Sequence, residues 1–375
     1  MNSLLQLLGT FGQILQNQLF PVLKEELGEM SEHHEQFVRA LALLQMDGFV
    51  VMRRGRGRPP HDRAKLARAF LAKAVFHISD TRAMLDRLAH DTVLRRLCGW
   101  DRTAEVPDET VFSRAFAEFA RREFAQRVHG ALIERTQKDR LVGHILRDAT
   151  AIEVREKPGP KPKPAAPVGR RLHRKAGGAK RPEQMTRLER QCSGTMTLEQ
   201  MLAELPQSCD TGCKLDSRGN KYRWSGYKLH VDVADGQIPI SCILTAASVN
   251  DTQVAVPLML TSAQRVTSLY DVMDTGYDST AIREKSRDLG HVPIIPFQKR
   301  GSEQIELAPH QKARLRERSA VERVFSRWKD EYGAARVRVR GAAKVMTHLM
   351  FGILALTADQ ILRWNGDEPP DEAPA

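Results

Sequence analysis

The stretch SLYDVMDTGYDST, Ser268 to Thr280, is where the reading of the chain turns. It runs apolar and strand-like, yet it carries Asp271, ends on Asp274 and then turns through Gly276 and Tyr277. A carboxylate inside a β-run is costly if buried without a partner. Asp beside Gly is also ordinary turn chemistry. One reading of Asp274 is therefore a turn at a strand end. The other is a metal ligand held rigidly at that end, with further carboxylates brought to it from far away in the chain. Asp271 stands an odd number of positions from Asp274, so it points to the opposite face and takes a structural role.

Working outward, strands and helices alternate around this stretch. GHILRDATAIEV (Gly143–Val154) sets Ile145, Leu146, Ala149 and Ile152 around Asp148. WSGYKLHVDVADGQIPISCILTA (Trp224–Ala246) reads as a hairpin, with Tyr227, Leu229, Val231 and Val233 on one face and a turn at Asp235-Gly236. NDTQVAVPLMLTSAQ is a helix begun by Asn250 or Asp251. After the opening stretch come a helix from Ser279 to Leu289, stopped by Gly290, and a short strand, VPIIPF. A long helical segment from about Pro309 carries RERSAVERVFSRWKDEYG. The order is strand, insertion, two strands, helix, strand, helix, strand, helix.

The insertion, Arg155 to Arg223, reads as flexible and basic. Its first half, Arg155 to Arg190, holds twelve Lys/Arg against three Asp/Glu, with several Pro and Gly. That composition suits a solvated loop or phosphate contact. Cys192, Cys209 and Cys213 with His173 suggest zinc, but C-x3-C matches the usual ligand spacings poorly.

The first 140 residues read as helical. DRAKLARAFLAKAVFHI places Leu66, Phe70, Ala74 and Ile78 near one face, and Met84, Leu85 and Leu88 follow at helical spacing. VPDETVFSRAFAEFARREF starts on Pro107 and Asp108 and buries Phe112, Phe116, Phe119 and Phe124 on one stripe as core. RRGRGRPPHDR, Arg53–Arg63, is either a hinge or an arginine-rich segment suited to a DNA groove.

Bulk properties narrow the class. The chain has 375 residues, 41% of them hydrophobic, a formal net charge of +12 and a pI near 9.6, which suits a polyanionic partner. MNSLLQLLGTFGQILQNQLF lacks the basic start of a signal peptide and reads as an amphipathic helix. The run from Val345 to Leu362 is broken by Thr347, His348, Thr357 and Asp359, which favours a buried core helix over a membrane span. Five cysteines without a regular framework fit a reduced cytosolic protein.

Asp148, Asp274 and Glu322 stand out by placement. On a helix, positions i−4 and i+7 share the face of residue i, so Arg318 and Lys329 flank Glu322. Val321, Val324, Phe325 and Trp328 form an apolar stripe beside them. Taken singly, Arg318 and Glu322 are an ordinary i,i+4 ion pair.

Together, the order of elements and the motifs LRDATAIEV, WSGYKLHVDV, YDVMDTGYDS and RSAVERVFSRWK resemble the DDE transposases of bacterial insertion sequences. That family's signature around its glutamate is Y-x2-R-x3-E-x6-K. Here Arg318, Glu322 and Lys329 match it, while position 315 is Leu instead of Tyr. The likeness covers about Leu141 to Trp364. CGWDRTAEVPDETVFSRAF resembles the region that precedes the catalytic domain in the same family.

The resemblance implies an α/β fold: an RNase H-like mixed sheet flanked by helices, preceded by an all-helical N-terminal domain. Residues 1–140 would bind DNA ends, and 141–375 would form the catalytic domain with its insertion at 155–223. Asp148, Asp274 and Glu322 would be the catalytic, metal-binding carboxylates for two Mg²⁺ ions, Mn²⁺ substituting. Three carboxylates meeting at one point repel unless cations neutralise them. Arg318 and Lys329 would contact DNA, as would Lys228, Arg170, Arg171, Arg174 and Lys175; Tyr277 would stack on a base or simply pack, and His230 is a further neighbour. The implied partners are double-stranded DNA, as the element's terminal inverted repeats and the target, and a second copy of the chain when two ends are paired. The implied location is the bacterial cytoplasm at the nucleoid, without a membrane. A metal-dependent nuclease of the same fold without strand transfer, and an inactive DNA-binding relative, are the alternatives.

Overall fold

Acidic and hydroxyl side chains decide where the N-terminal helices begin. The computed structural model describes residue 14 and residues 18–51, 60–159, 185–215, 219–298 and 306–365. Among these residues seven α-helices precede the sheet: α1 (Phe20–Leu27), α2 (Glu32–Leu44), α3 (Arg63–Val75), α4 (Thr81–His90), α5 (Thr92–Cys98), α6 (Glu109–Arg121) and α7 (Phe124–Gln137). Asp62, Asp80, Asp91 and Asp108 each accept a hydrogen bond from a backbone N–H in the first turn of α3, α4, α5 and α6. Such a cap contributes about 1 kcal/mol.

Phenylalanines weld these helices together. Phe70 of α3 lies 5.7, 4.9 and 6.1 Å, ring to ring, from Phe112, Phe116 and Phe119 of α6. The stretch that reads as one helix through Phe124 is two. Glu123 takes a left-handed conformation (φ 48°), and Phe124 opens α7.

The sheet follows. Its strands are β1 (Leu141–Glu153), β2 (Asp210–Leu215), β3 (Lys221–Ala234), β4 (Ile238–Ala246), β5 (Thr267–Val272) and β6 (Val292–Ile294). β1 is central, antiparallel to β3 and parallel to β5, with β6 parallel beyond β5. β4 and β2 share the outer edge of β3. β1, β3, β4 and β2, paired antiparallel, joined to β5 and β6, paired parallel, make the mixed RNase H-like sheet. Gly226 in β3 has φ 150°, and a Cβ there would stand 2.1 Å from the Ile152 carbonyl oxygen, so only glycine lets β3 lie this close to β1.

Between β1 and β3 the described residues are folded as well. α8 (Arg187–Cys192) and α9 (Leu198–Ala203) each start on a capping box, Thr186 with Glu189 and Thr197 with Gln200. The expected flexible insertion is therefore ordered over 185–215. Cys192 and Cys209 donate to the carbonyls of Ala281 and Glu156 respectively, and are not brought to one centre. His173 lies outside the described residues.

The remaining helices are α10 (Thr252–Ala263), α11 (Thr280–Asp288), α12 (Pro309–Arg316), α13 (Ser319–Glu331) and α14 (Ala342–Asn365). α14 is long and apolar enough to cross a membrane by composition, but 72% of that window is buried inside the fold. It packs on α2, α3, α6 and α7 of the helical region and also on α13 and β4. One hydrophobic core consequently runs from Phe37 to Ile361, through both the helical region and the sheet.

Candidate active site

Asp148 sits in the middle of β1, opposite Val231 of β3. Its Oδ1 accepts from the Ala149 N–H at 2.7 Å, and its Oδ2 accepts from the Arg318 guanidinium at 2.8 Å. Asp274 follows β5, which runs parallel beside β1. Its two oxygens divide the work that the sequence left as alternatives. Oδ1 accepts from the Gly276 N–H at 2.9 Å and closes the short turn Thr275–Tyr277, whereas Oδ2 faces Arg318 at 3.8 Å. A Cβ at position 276 would stand 2.9 Å from that Oδ1, which is why glycine suits the turn.

Glu322 comes from α13, in the first turn, with its Oε1 3.5 Å from the same guanidinium. Its side chain is 64% exposed, against 16% for Asp148. Arg318 thus touches three carboxylates that lie up to 174 positions apart in the chain.

Burial pushes the Asp148 carboxyl up to about 6, against the pull of Arg318 and the Ala149 N–H; the charges of Asp274 and Asp251 add to the rise. Asp274 is raised for the same reason, burial first, with Arg318 and the Gly276 N–H opposing and Asp251 adding to it. The site is therefore an anionic centre that disfavours its own charge and is held together by one fixed cation.

Asp251 is the residue the sequence does not reveal. It reads as a helix start, and it does precede α10. Its Oδ1, however, takes the Lys228 ammonium at 2.9 Å and lies 3.7 Å from His230 Nδ1. Lys228 also donates to the Val249 carbonyl at 2.9 Å. His230 is fully buried and bonded to Thr245 at 3.0 Å, and burial lowers its pKa to about 4. It is a core group.

Lys329 reaches back from α13 to Thr150, Nζ to Oγ1 at 2.6 Å, two residues along β1 from Asp148. Of the two roles open to Tyr277 it takes packing: it is 1% exposed and lies among Ala255, Met259, Met273, Ile282 and Ile295, so it has no free face for a base, and the DNA contact is ruled out. Arg170, Arg171, Arg174 and Lys175 lie outside the described residues. Leu315, where the signature has Tyr, packs half-buried on the core. Asp271 is buried with Arg147, Ser286 and His291, apart from the three carboxylates.

Beyond this geometry, residues 202–358 match a family described as Transposase DDE domain, and residues 18–118 match one described as Transposase domain (DUF772). The two matches together span more than half of the chain. The chain belongs to the DDE transposases. Asp274, Arg318, Glu322 and Lys329 of this transposase fall inside the first match, and Asp148 lies ahead of it. Searches among curated proteins and among solved structures gave no match.

The donor set is chemically suited to a hard divalent cation: three carboxylates, all oxygen, without a thiol or imidazole among them. As the side chains stand, no three His, Cys, Asp or Glu among the described residues close on a single ion, because Arg318 lies between them.

Proposed function

We propose that this transposase binds the terminal inverted repeats of its insertion sequence, cleaves to free 3′-OH ends and joins those ends to target DNA. Asp148, Asp274 and Glu322 are the carboxylates that carry the chemistry. The observation that supports this is the meeting of all three around Arg318, from a central strand, a neighbouring strand end and a helix. A structural ion pair needs one acid for one base. Three acids around one arginine, two of them with raised pKa, leave an excess of negative charge that a fold does not need.

Mg²⁺, or Mn²⁺ in its stead, held by these three carboxylates as a pair of ions, would activate the attacking oxygen and stabilise the leaving one. The chain's own residues set up the rest. Asp148 is fixed by the sheet and by the Ala149 N–H. Asp274 is fixed by its turn. Glu322, on an exposed helix face, is free to move as DNA docks. Arg318 and Lys329 are placed to take phosphate oxygens on either side, since a guanidinium pairs with phosphate as well as with carboxylate. No nucleophilic side chain is required.

The N-terminal helices, residues 1–140, are the unit we assign to end recognition, and pairing of two ends implies two copies of the chain working at the nucleoid. The test uses a supercoiled plasmid carrying the gene's native flanking DNA, incubated with Mg²⁺ and either wild type or Glu322→Gln. Nicks at the element boundary that vanish in the variant, together with joined products, are expected. Cuts scattered without regard to the boundary, and no joining, would replace this reading with a plain nuclease.

A further inference from the structure

The link between α13 and α14 has a regular pattern that the cutting chemistry does not use. After Gly333 the chain runs AARVRVRG, Ala334 to Gly341. Val337 bridges in parallel to Val154, just past the end of β1, and Val337 and Val339 pack on the core. Extended backbone alternates its side chains, so Arg336, Arg338 and Arg340 emerge on the other side, and all three are exposed. Arg338 pairs with Asp80 at the start of α4. Neither Arg336 nor Arg340 has a carboxylate partner among the described residues.

A cleft of about 300 Å³ lies alongside. One wall is the turn after α3, with His77 and Ser79; the other is the end of α13 and the start of the link, with Lys329, Gly333 and Arg336. Lys329 ties this cleft to the carboxylates through Thr150. Val154 stands six residues beyond Asp148, which at strand rise is about 20 Å.

We propose that Lys329, Arg336, Arg338 and Arg340 form a phosphate track that leads duplex DNA from the three carboxylates, past the cleft, to the N-terminal helices. The inference rests on reading those carboxylates as the DNA-cutting site. Alternate residues on extended backbone recur every ~6.6 Å, a ladder of guanidiniums able to meet successive phosphates of one strand. Valines face inward and arginines outward, so packing is satisfied without the charges. Arginine forks suit phosphate, and two of the three lack a counter-charge among the described residues. The track also joins the two parts of the chain that an end-cutting enzyme must hold on one duplex.

The test measures binding of a fluorescent random-sequence duplex, in EDTA, over a series of salt concentrations, with all proteins in the Glu322→Gln background so that nothing is cut. Each phosphate contact contributes about 0.9 to the slope of log affinity against log salt. Arg336→Gln with Arg340→Gln should therefore flatten the slope by roughly 2, and each single change by about half of that. Lys285→Gln with Arg287→Gln on α11, near the β6 edge of the sheet, removes the same charge and should leave the slope unchanged. Neither Arg336 nor Arg340 has a charged partner among the described residues, and equal thermal midpoints will show that the double variant is intact. An unchanged slope, or an equal loss in the α11 control, overturns the track. Because binding is read without metal or cutting, failure of the plasmid assay and failure of the track are separate results.

Discussion

Arg318 donates to Asp148 at 2.8 Å, and with the same guanidinium it holds Asp274 and Glu322 within 4 Å. Removing it leaves a largely buried carboxylate beside two others with no ion-pair partner among the described residues. Arg318→Gln is expected to lose about 1–3 kcal/mol without divalent ions, since Asp148 is buried but not fully enclosed. Adding Mg²⁺ should raise the variant's thermal midpoint more than the wild type's, because an ion bound only by the folded state stabilises it. Identical midpoints for both proteins in EDTA would show that the guanidinium is not holding the carboxylates.

Glu322 offers the opposite contrast. Its side chain is mostly exposed and, among the described residues, meets only the charge of Arg318, at 3.5 Å. Glu322→Gln should leave stability within about 0.5 kcal/mol of wild type, as surface changes usually do, while abolishing nicking of the plasmid. A variant that melts early would assign the residue to the fold instead.

Beneath the site lies a second charged group, fully buried. Arg147 donates to Asp232 at 2.7 Å and lies 3.7 Å from Asp271; Ser262 donates to Asp232 and Ser286 to Asp271, each at 2.6 Å. Breaking a buried pair leaves an uncompensated charge, so Arg147→Met should cost about 3–5 kcal/mol. Arg147→Met combined with Asp232→Leu should cost less than the sum of the two single changes, measured as a double-mutant cycle by urea unfolding. Simple additivity would mean that the two residues act independently.

Three histidines shape the acid side, His129 and His230 buried and His348 half-buried. Burial lowers His129 and His348 to about 3 and His230 to about 4. Each is neutral in the fold and takes a proton once unfolded. Their contribution is thus present above the unfolded pKa of about 6.5 and is lost as pH falls toward 3–4, offset in part by Asp148, whose raised pKa works the other way. His129 donates from Nε2 to the Pro239 carbonyl at 3.1 Å, a bond that a glutamine amide can replace. His129→Gln should remove about one proton from the stability slope between about pH 6 and 4, roughly 1.4 kcal/mol per pH unit. An unaltered slope would place the proton uptake elsewhere.

Much of the fold is legible in the sequence because burial writes itself into period and alternation. Tyr227, Leu229, Val231 and Val233 are all buried on β3, and the Asp235-Gly236 turn lies between β3 and β4. Phe112, Phe116 and Phe119 are core as their spacing says. The break at Glu123 is not legible, since the apolar stripe runs on across it. In 185–215 the capping boxes at Thr186 and Thr197 are readable signals, yet the basic, proline-rich run before them dominates the composition. Asp251 escapes for another reason: an acid at a helix start is the commonest of caps, and its contact with Lys228 is made only when β3 and α10 come together. The same holds for Arg147, Asp232 and Asp271, one from each of three strands.

α14 has a consequence for descent. It packs at once against the N-terminal helices and against β4 of the sheet, within one shared core. An exchange of residues 18–137 between related elements would leave α14 facing a surface it was not shaped to meet. On the proposed assignment of end recognition to those helices, specificity is therefore inherited together with the sheet, and new specificities should arise by change within one lineage more readily than by shuffling of parts.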